Sequence, residues 1–183
     1  MRTRLVLAAA AFGALALAAP SALAAPAPAN LDGKKIKTLS VSVDAKQQVH
    51  DADTFDINTC ADRCLVVPFI FNPAKGVKGD VMFTATWGSM PTSDIDLYVA
   101  QINGKSRTEV THCAGATTGK GSEKIFLAAG NLKRGKTYAM IVDFYRTAGE
   151  KVTGTVEMPA KDTTAKTVPA QADGAIYNVN CTL

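Results

Sequence analysis

The stretch from Val81 to Val99 constrains the fold more than any other part of the chain. Hydrophobic residues occupy every second position in its first half, from Val81 to Trp87, and again in its second half, from Ile95 to Val99. Alternation with a period of two is typical of a β-strand with one face in a core and the other in water. The polar residues between the halves predict a turn, so the stretch is interpreted as two neighbouring strands.

Similar short segments recur along the rest of the chain, without a helical period after the N-terminal leader. Pro68 lies inside an apolar run and predicts an edge position or a bulge for that strand. In all, about seven to nine short strands predict an all-β fold, an antiparallel β-sandwich of the jelly-roll-like kind. Besides the central pair, the strands are predicted at residues 39–43, 65–71, 108–113, 123–128, 136–145, 152–158 and within 175–183, with a short strand or a loop around Val49.

The N-terminus has the pattern of a secretory signal peptide. Arg2 and Arg4 precede the apolar run Leu5–Leu17, and Ala22-Leu23-Ala24 has the small-x-small pattern of a cleavage site. A transmembrane anchor is the alternative, but the run is short and Pro20 interrupts it. The sequence therefore predicts a secreted protein, extracellular or periplasmic, with no membrane insertion after cleavage of residues 1–24.

The remaining 159 residues are enough for one domain with a full core. Composition divides them into a flexible segment at 25–35, a β-sandwich domain at 36–158, a linker-like segment at 159–174 and a C-terminal strand at 175–183. Without the two leader arginines the formal net charge falls from +4 to +2. No basic stripe with interleaved aromatic residues occurs, so nucleic acid is not expected as a partner.

Four cysteines lie outside the leader: Cys60, Cys64, Cys113 and Cys181. An even number of cysteines in an exported chain favours two disulfides. A zinc site is the weaker alternative because only one close pair exists, and a redox site would need the spacing C-x-x-C. The pairing stays open at this point, although Cys60 and Cys64 are close enough for a local bridge.

The sequence does not predict an enzyme. His50 and His112 are the only histidines, and the chain contains neither the G-x-S-x-G nor the H-E-x-x-H motif. A hydrolytic triad requires a nucleophile, a histidine base and an orienting third group. Both histidines are therefore interpreted as ordinary strand or surface residues.

Asp94 and Asp96 are the candidate metal ligands. They lie on one strand face with Cα atoms about 6.5–7 Å apart, so their charges repel unless something compensates them. In an exported protein Ca²⁺ is the candidate cofactor, with Asp80 and Asp143 as further oxygen donors, and no other cofactor is indicated. The alternative is that the aspartates accept backbone N–H groups at a turn or pair with Lys or Arg.

Tyr98 and Tyr145 are the candidate ligand-binding aromatic residues. Alternation places Trp87, Tyr138 and Phe144 with the core residues, whereas Tyr98 and Tyr145 fall on the opposite face of their strands. Exposed together, two tyrosines can bind a polymer by stacking. The alternative is that they simply cover the sheet.

Two motifs lie in register along the second half of the chain: Asp94–Val99 has the sequence DIDLYV, and Gly135–Val142 has the sequence GKTYAMIV and is followed by Tyr145. With these motifs the chain resembles, from Val77 to Met158, the bacterial pre-peptidase C-terminal domain, which has the motif D-x-D-L-Y-V and the closing strand G-x-Y-Y-x-x-V. Cys113 before a glycine-containing loop and Glu123 after it also follow the family order.

The resemblance implies a small β-sandwich of the type often appended to secreted proteases. Some collagen-binding relatives of the family bind calcium, so the resemblance allows calcium binding here as well, with Asp94 and Asp96 as the candidate ligands. Lys124-Ile125 stands where some members have a second cysteine, so Cys113 is expected to pair elsewhere, with Cys181 as one candidate, or to stay free.

These observations predict a secreted, non-catalytic β-sandwich module that binds an extracellular protein or polysaccharide. One alternative is an inhibitor or companion of an exported protease that acts in trans. The other is a calcium-stabilised structural or adhesive subunit.

Overall fold

The computed structural model describes residues 27–50, 55–60, 63–88, 93–113, 121–161 and 179–182. The predicted leader at 1–24 and most of the segment 159–178 lie outside the described residues, as do the side chains of Cys113 and residues 179–182. No helix in the described part of the chain is long and apolar enough to cross a membrane.

The described residues form two β-sheets that pack face to face. We call them the front sheet and the back sheet. The front sheet contains β1 (Ala29–Leu31), β3 (Gln48–Val49), β4 (Cys64–Phe71), β6 (Asp94–Asn103), β7 (Ser106–Cys113) and β9 (Lys136–Thr147). The back sheet contains β2 (Thr38–Asp44), β5 (Val81–Trp87), β8 (Ser122–Leu127), β10 (Lys151–Glu157) and β11 (Val179–Thr182).

The strand order is that of a jelly roll. The front sheet runs β1-β4-β9-β6-β7, with β3 beside β9, and the back sheet runs β11-β8-β5-β10-β2. The eight long strands, β2 and β4 to β10, occupy the positions of two interlocked Greek keys. Nearly all pairs are antiparallel, the exception being β1 with β4. The predicted all-β antiparallel sandwich is confirmed.

The core lies between the two sheets and follows the predicted alternation. In β5 the side chains of Val81, Phe83, Ala85 and Trp87 are buried, and in β9 those of Tyr138, Met140, Val142 and Phe144 are buried. Trp87, Tyr138 and Phe144 therefore belong to the core, as predicted.

One short strand differs from the sequence-based expectation, and a second decides an alternative that the sequence left open. Ala29–Leu31 falls in the segment predicted to be flexible, yet it pairs with Phe69–Phe71 and buries Leu31 completely. Gln48–Val49 forms the short strand that the sequence left open and pairs with Arg146 and Thr147. Strands this short depend on the partner strand rather than on their own pattern, because two or three residues cannot establish a period.

Pro68 lies at an edge position of β4. The strand pairs with β9 over its whole length, but β1 covers only Phe69–Phe71 on the other side. Proline lacks an N–H group, so a position without a second strand partner among the described residues accommodates it without losing a ladder hydrogen bond.

Candidate functional site

Three strands bring the candidate residues onto the outer face of the front sheet. Asp94, Asp96 and Tyr98 alternate with the buried residues of β6 and therefore point away from the core. On β9, Asp143 is the cross-strand partner of Asp96. On β7, His112 is the cross-strand partner of Tyr98. We call this group, together with His50, Phe55 and Tyr145, the front site.

His50 and Asp143 form a buried pair at the front site. The His50 Nε2 atom lies 2.8 Å from Asp143 Oδ1, and their side chains are only 7% and 1% exposed. Strand β3 brings His50 here, because Val49 pairs with Arg146 and the His50 amide donates to the carbonyl of Tyr145 at 3.1 Å. The pair fixes the histidine ring against the sheet.

A row of aromatic rings runs across the front site. Phe55 stacks against His50 with ring centroids 5.9 Å apart and against Tyr98 at 5.1 Å. Tyr98 stacks in turn against His112 at 5.6 Å, and Tyr145 meets the His50 ring edge-on at 5.4 Å. As whole residues, Tyr98 and Tyr145 are each half-buried.

Residues 55–60, which we call the covering segment, lie over the outer face of the front sheet. Arg107 holds it at the β6–β7 hairpin: its amide donates to Asn58 Oδ1 at 2.6 Å and its guanidinium donates to the Ile57 carbonyl. A disulfide joins Cys60 to Cys64 at the start of β4, with Cα atoms 5.6 Å apart. The predicted local bridge is confirmed.

Beneath the covering segment lies a second apolar cluster, separate from the main core. Its buried members come from the disulfide and from the outward positions of β6 and β9: Cys60, Cys64, Ala100, Ala139 and Ile141, with Phe55, Ile57, Val66, Tyr98 and Ile102 packed against them. The covering segment therefore closes this part of the sheet face, and the neighbouring carboxylate of Asp143 is buried as well, beneath His50.

Burial and mutual repulsion disfavour the ionised forms of the carboxylates at the front site. Burial, followed by repulsion from Asp94 and Asp143, raises the pKa of Asp96 to about 7, while His112 and His50 act in the opposite direction. Burial also raises the pKa of Asp143 to about 6, although the hydrogen bond with His50 opposes the rise. Near neutral pH the carboxylate of Asp96 is therefore only partly ionised, because burial and the neighbouring carboxylates oppose its negative charge.

The pKa values of the groups that flank these two carboxylates are shifted as well. Burial raises the pKa of Asp94, opposed by the charge of Arg146, its cross-strand partner. A hydrogen bond of 2.7 Å between His112 Nδ1 and Glu109 Oε1 raises the pKa of His112. Burial and the nearby carboxylates raise the pKa of the Tyr98 hydroxyl, which stays neutral.

The structure thus brings Asp94, Asp96, Tyr98 and Tyr145 together on one face of one sheet. Asp80 lies elsewhere: it precedes β5 in the back sheet, and its Oδ1 accepts the amide of Ala129 at 2.7 Å. Cys113 lies on β7 and Cys181 lies on β11. Their side chains are outside the described part of the structure, so the second predicted disulfide stays a prediction.

His50, His112 and Phe55 are the members of the front site that the sequence did not single out. His50 was interpreted as an ordinary histidine, yet it is buried and bonded to Asp143, 93 residues away. No local pattern reveals this contact, because it depends on the two-residue strand β3 pairing with the end of β9.

Calcium fits the chemistry of the three aspartates, since carboxylate oxygens are its preferred ligands. Their positions do not make a ready site, because no group of three or more His, Cys, Asp or Glu residues within the described part of the chain is placed to hold a metal ion. Asp143 also directs Oδ1 at His50.

Comparison with known proteins finds no matching family model and no matching curated protein. The resemblance of residues 77–158 to the pre-peptidase C-terminal domain therefore stays a prediction.

Proposed function

We propose that the chain is a secreted, non-catalytic binding module that takes an extracellular protein or polysaccharide on the outer face of its front sheet. One observation carries the proposal: the half-buried residues Tyr98 and Tyr145 lie on the same sheet face as the carboxylates of Asp94, Asp96 and Asp143. Aromatic rings beside polar groups are frequent in recognition surfaces because they combine apolar area with specific hydrogen bonding.

A protein ligand suits the charge of the front site better than a neutral glycan. The carboxylate of Asp96 has no hydrogen-bond donor among the described residues, and Asp94 and Asp143 increase the local negative charge. A Lys or Arg side chain placed there gains ion pairing with the carboxylates and a cation–π contact with tyrosine. The resemblance to a domain appended to secreted proteases supports the same non-catalytic role.

Retention on solid polymers tests the proposal. The mature chain, residues 25–183, is passed over collagen, chitin and bacterial cell-wall fractions, with Tyr145→Ala as the test variant. Thr84→Ala, on the outer face of the back sheet, is the matched control. We expect retention on a protein polymer that Tyr145→Ala weakens and Thr84→Ala leaves intact. Failure of the wild-type chain to bind any of these polymers would count against the proposal.

A calcium-stabilised structural or adhesive subunit is the second candidate. The observation that favours it is the crowding of Asp94, Asp96 and Asp143, whose mutual repulsion a divalent cation relieves. Thermal unfolding with millimolar calcium and with EDTA tests it, since a ligand that binds only the folded state raises the unfolding free energy. Asp96→Asn removes the calcium-dependent shift if the aspartates bind the ion.

The inhibitor or protease-companion alternative calls for an exposed loop held by disulfides. Cys60 and Cys64 are both buried against the front sheet. No observation in the described residues therefore raises this alternative above the other two.

A further inference from the structure

Four strands end the two sheets, and they differ in how well their edges are protected. The front sheet ends in β1, which is three residues long, and in β7, which carries Arg107 and Glu109 and has a register irregularity against β6. The back sheet ends in β11, which is four residues long, and in β2. Short length, charges and bulges are the usual devices that stop edge strands from pairing with other chains.

Strand β2 lacks these devices. It pairs with β10 over seven consecutive residues without a register shift, and it contains no proline and no charged residue before Asp44 at its end. Among the described residues β2 has no strand partner on its other side. It therefore presents a regular row of backbone N–H and C=O groups.

The core-facing residues of β2 are also incompletely covered. Leu39, Val41 and Val43 pack against the main core but are only partly buried, whereas the corresponding residues of the neighbouring strand, Val152 and Val156, are fully buried. An added strand with apolar residues at alternate positions would cover the exposed parts of these side chains, which is favourable in proportion to the apolar area removed from water.

Positive charge lies at the N-terminal end of the free edge. Lys34, Lys35 and Lys37 precede β2, all with exposed side chains. Asp44, the one acidic residue within β2, lies at the opposite end of the strand and is the cross-strand partner of Lys151 on β10.

We propose that the free edge of β2 binds an extended peptide of an acidic partner protein by strand addition. The peptide has alternating apolar residues, which continue the core layer of the back sheet, and acidic residues at the end that faces Lys34, Lys35 and Lys37. Backbone hydrogen bonds provide most of the affinity in this mode, and the flanking charges select the partner. The edge lies in the other sheet from the front site, so the inference is independent of the proposed function.

A synthetic peptide tests the proposal directly. The probe is fluorescein-labelled Asp-Asp-Val-Thr-Val-Thr-Val-Asp-Asp, titrated with the mature chain and followed by fluorescence anisotropy. We expect saturable binding with a Kd on the order of 100 µM, typical of a weak transient contact. The same peptide with Lys in place of every Asp is expected to bind about tenfold more weakly.

Two peptides N-methylated at alternate residues separate strand addition from non-specific attraction. Only every second N–H of an added strand points at β2, so methylation of one alternate set removes the hydrogen bonds that hold the peptide. Loss of binding for at least one set supports the proposal. Equal binding of both methylated peptides, or no saturable binding of the unmodified probe, overturns it.

Protein variants locate the contact. Lys37→Glu should weaken binding of the acidic probe about three- to tenfold, whereas Lys105→Glu, in the β6–β7 turn at the far edge of the front sheet, should not. Equal effects of the two variants place binding elsewhere and overturn the proposal. Analytical ultracentrifugation of the chain without peptide measures whether the edge of β2 pairs with a second copy. If the chain forms a dimer, and Lys37→Glu strengthens that dimer, the edge belongs to self-association and the proposal is overturned.

Discussion

At the scale of single residues, the crowding around Asp96 predicts an unusual dependence of stability on pH. Because the pKa of Asp96 in the folded chain is raised from 3.8 to about 7, the folded chain keeps a proton that the unfolded chain has released. The stability from this group is fully present below the unfolded pKa and is lost as pH rises through about 7. Asp143, raised to about 6, acts in the same direction.

We therefore expect Asp96→Asn to raise the free energy of unfolding by about 1–2 kcal/mol at about pH 8, and by a smaller amount at about pH 5, which lies inside the range over which the stability is lost. Urea denaturation at the two pH values measures this difference. Asp44→Asn, on the exposed end of β2 opposite Lys151, serves as the control and should change stability by less than about 0.5 kcal/mol at either pH. A loss of stability in Asp96→Asn at the higher pH would contradict the electrostatic account.

His50 gives a second prediction at this scale. Replacing it by Ala leaves the buried carboxylate of Asp143 without its histidine partner, at a cost of about 2–4 kcal/mol near neutral pH. The loss should become smaller in acid, where Asp143 is protonated. His112→Ala is the control: that ring is half-buried, and its partner Glu109 is exposed to water. Chemical denaturation across the pH range checks both variants, and equal losses for the two would contradict the role given to burial.

The sequence predicts which side of the sheet a residue faces most reliably when the alternation within a single strand determines it. Alternation in β6 was sufficient to place Asp94, Asp96 and Tyr98 on one side, and the register of β6 with β9 then adds Asp143. The ring of Phe55 belongs to the front site only through the covering segment. No period in residues 55–60 indicates where that segment lies.

At the scale of elements, the covering segment depends on contacts from β7. Arg107 donates to the Ile57 carbonyl, and its amide donates to Asn58, so both anchors come from one residue. Arg107→Ala removes the guanidinium and should lower the free energy of unfolding by about 1–2 kcal/mol, because the partly buried carbonyl of Ile57 loses its donor. Amide hydrogen exchange should increase in residues 55–60 and stay unchanged in β5.

The matched control is Arg134→Ala. Arg134 also bridges a turn, donating to Asn72 Oδ1 at 3.1 Å and to the carbonyl of Pro73, but it lies far along the chain from the covering segment and its side chain is exposed. Its replacement should leave exchange in residues 55–60 unchanged. Faster exchange there in both variants would mean a global loss of stability rather than release of the covering segment.

The elements themselves were predictable in proportion to their length. In strands β5, β6, β9 and β10 core-facing and outward residues alternate over several positions, and each strand forms where this pattern predicts it. Strands β1 and β3 have three and two residues, and only the long strands beside them make them strands. Whether such a short segment forms a strand depends on pairing with a strand that is distant in the sequence. The residues of the short segment alone do not reveal that pairing.

At the scale of the whole molecule, the separation of the two sheets depends on a residue without a side chain. Gly154 lies in the middle of β10, and a Cβ atom built there would overlap Met140 Cε and lie 3.1 Å from Leu65 Cδ2 and 3.3 Å from Val67 Cγ2. These neighbours all belong to β4 and β9 of the front sheet. A glycine here lets the back sheet approach the larger side chains of the front sheet.

Gly154→Ala should therefore lower the free energy of unfolding by about 1–3 kcal/mol, because extra volume in a filled core forces neighbours to shift. Thr153→Ala, the adjacent outward position on the same strand, is the control and should cost less than about 1 kcal/mol. Met140→Ala removes the nearest neighbour of the added methyl group. If the overlap is the cause, the double variant should lose at least about 0.5 kcal/mol less than the two single losses combined, because the two sites share one space. Strict additivity in this cycle, measured by urea denaturation, would show that the sheets move apart to accept the methyl group, and the close approach at Gly154 would then not be what sets their separation.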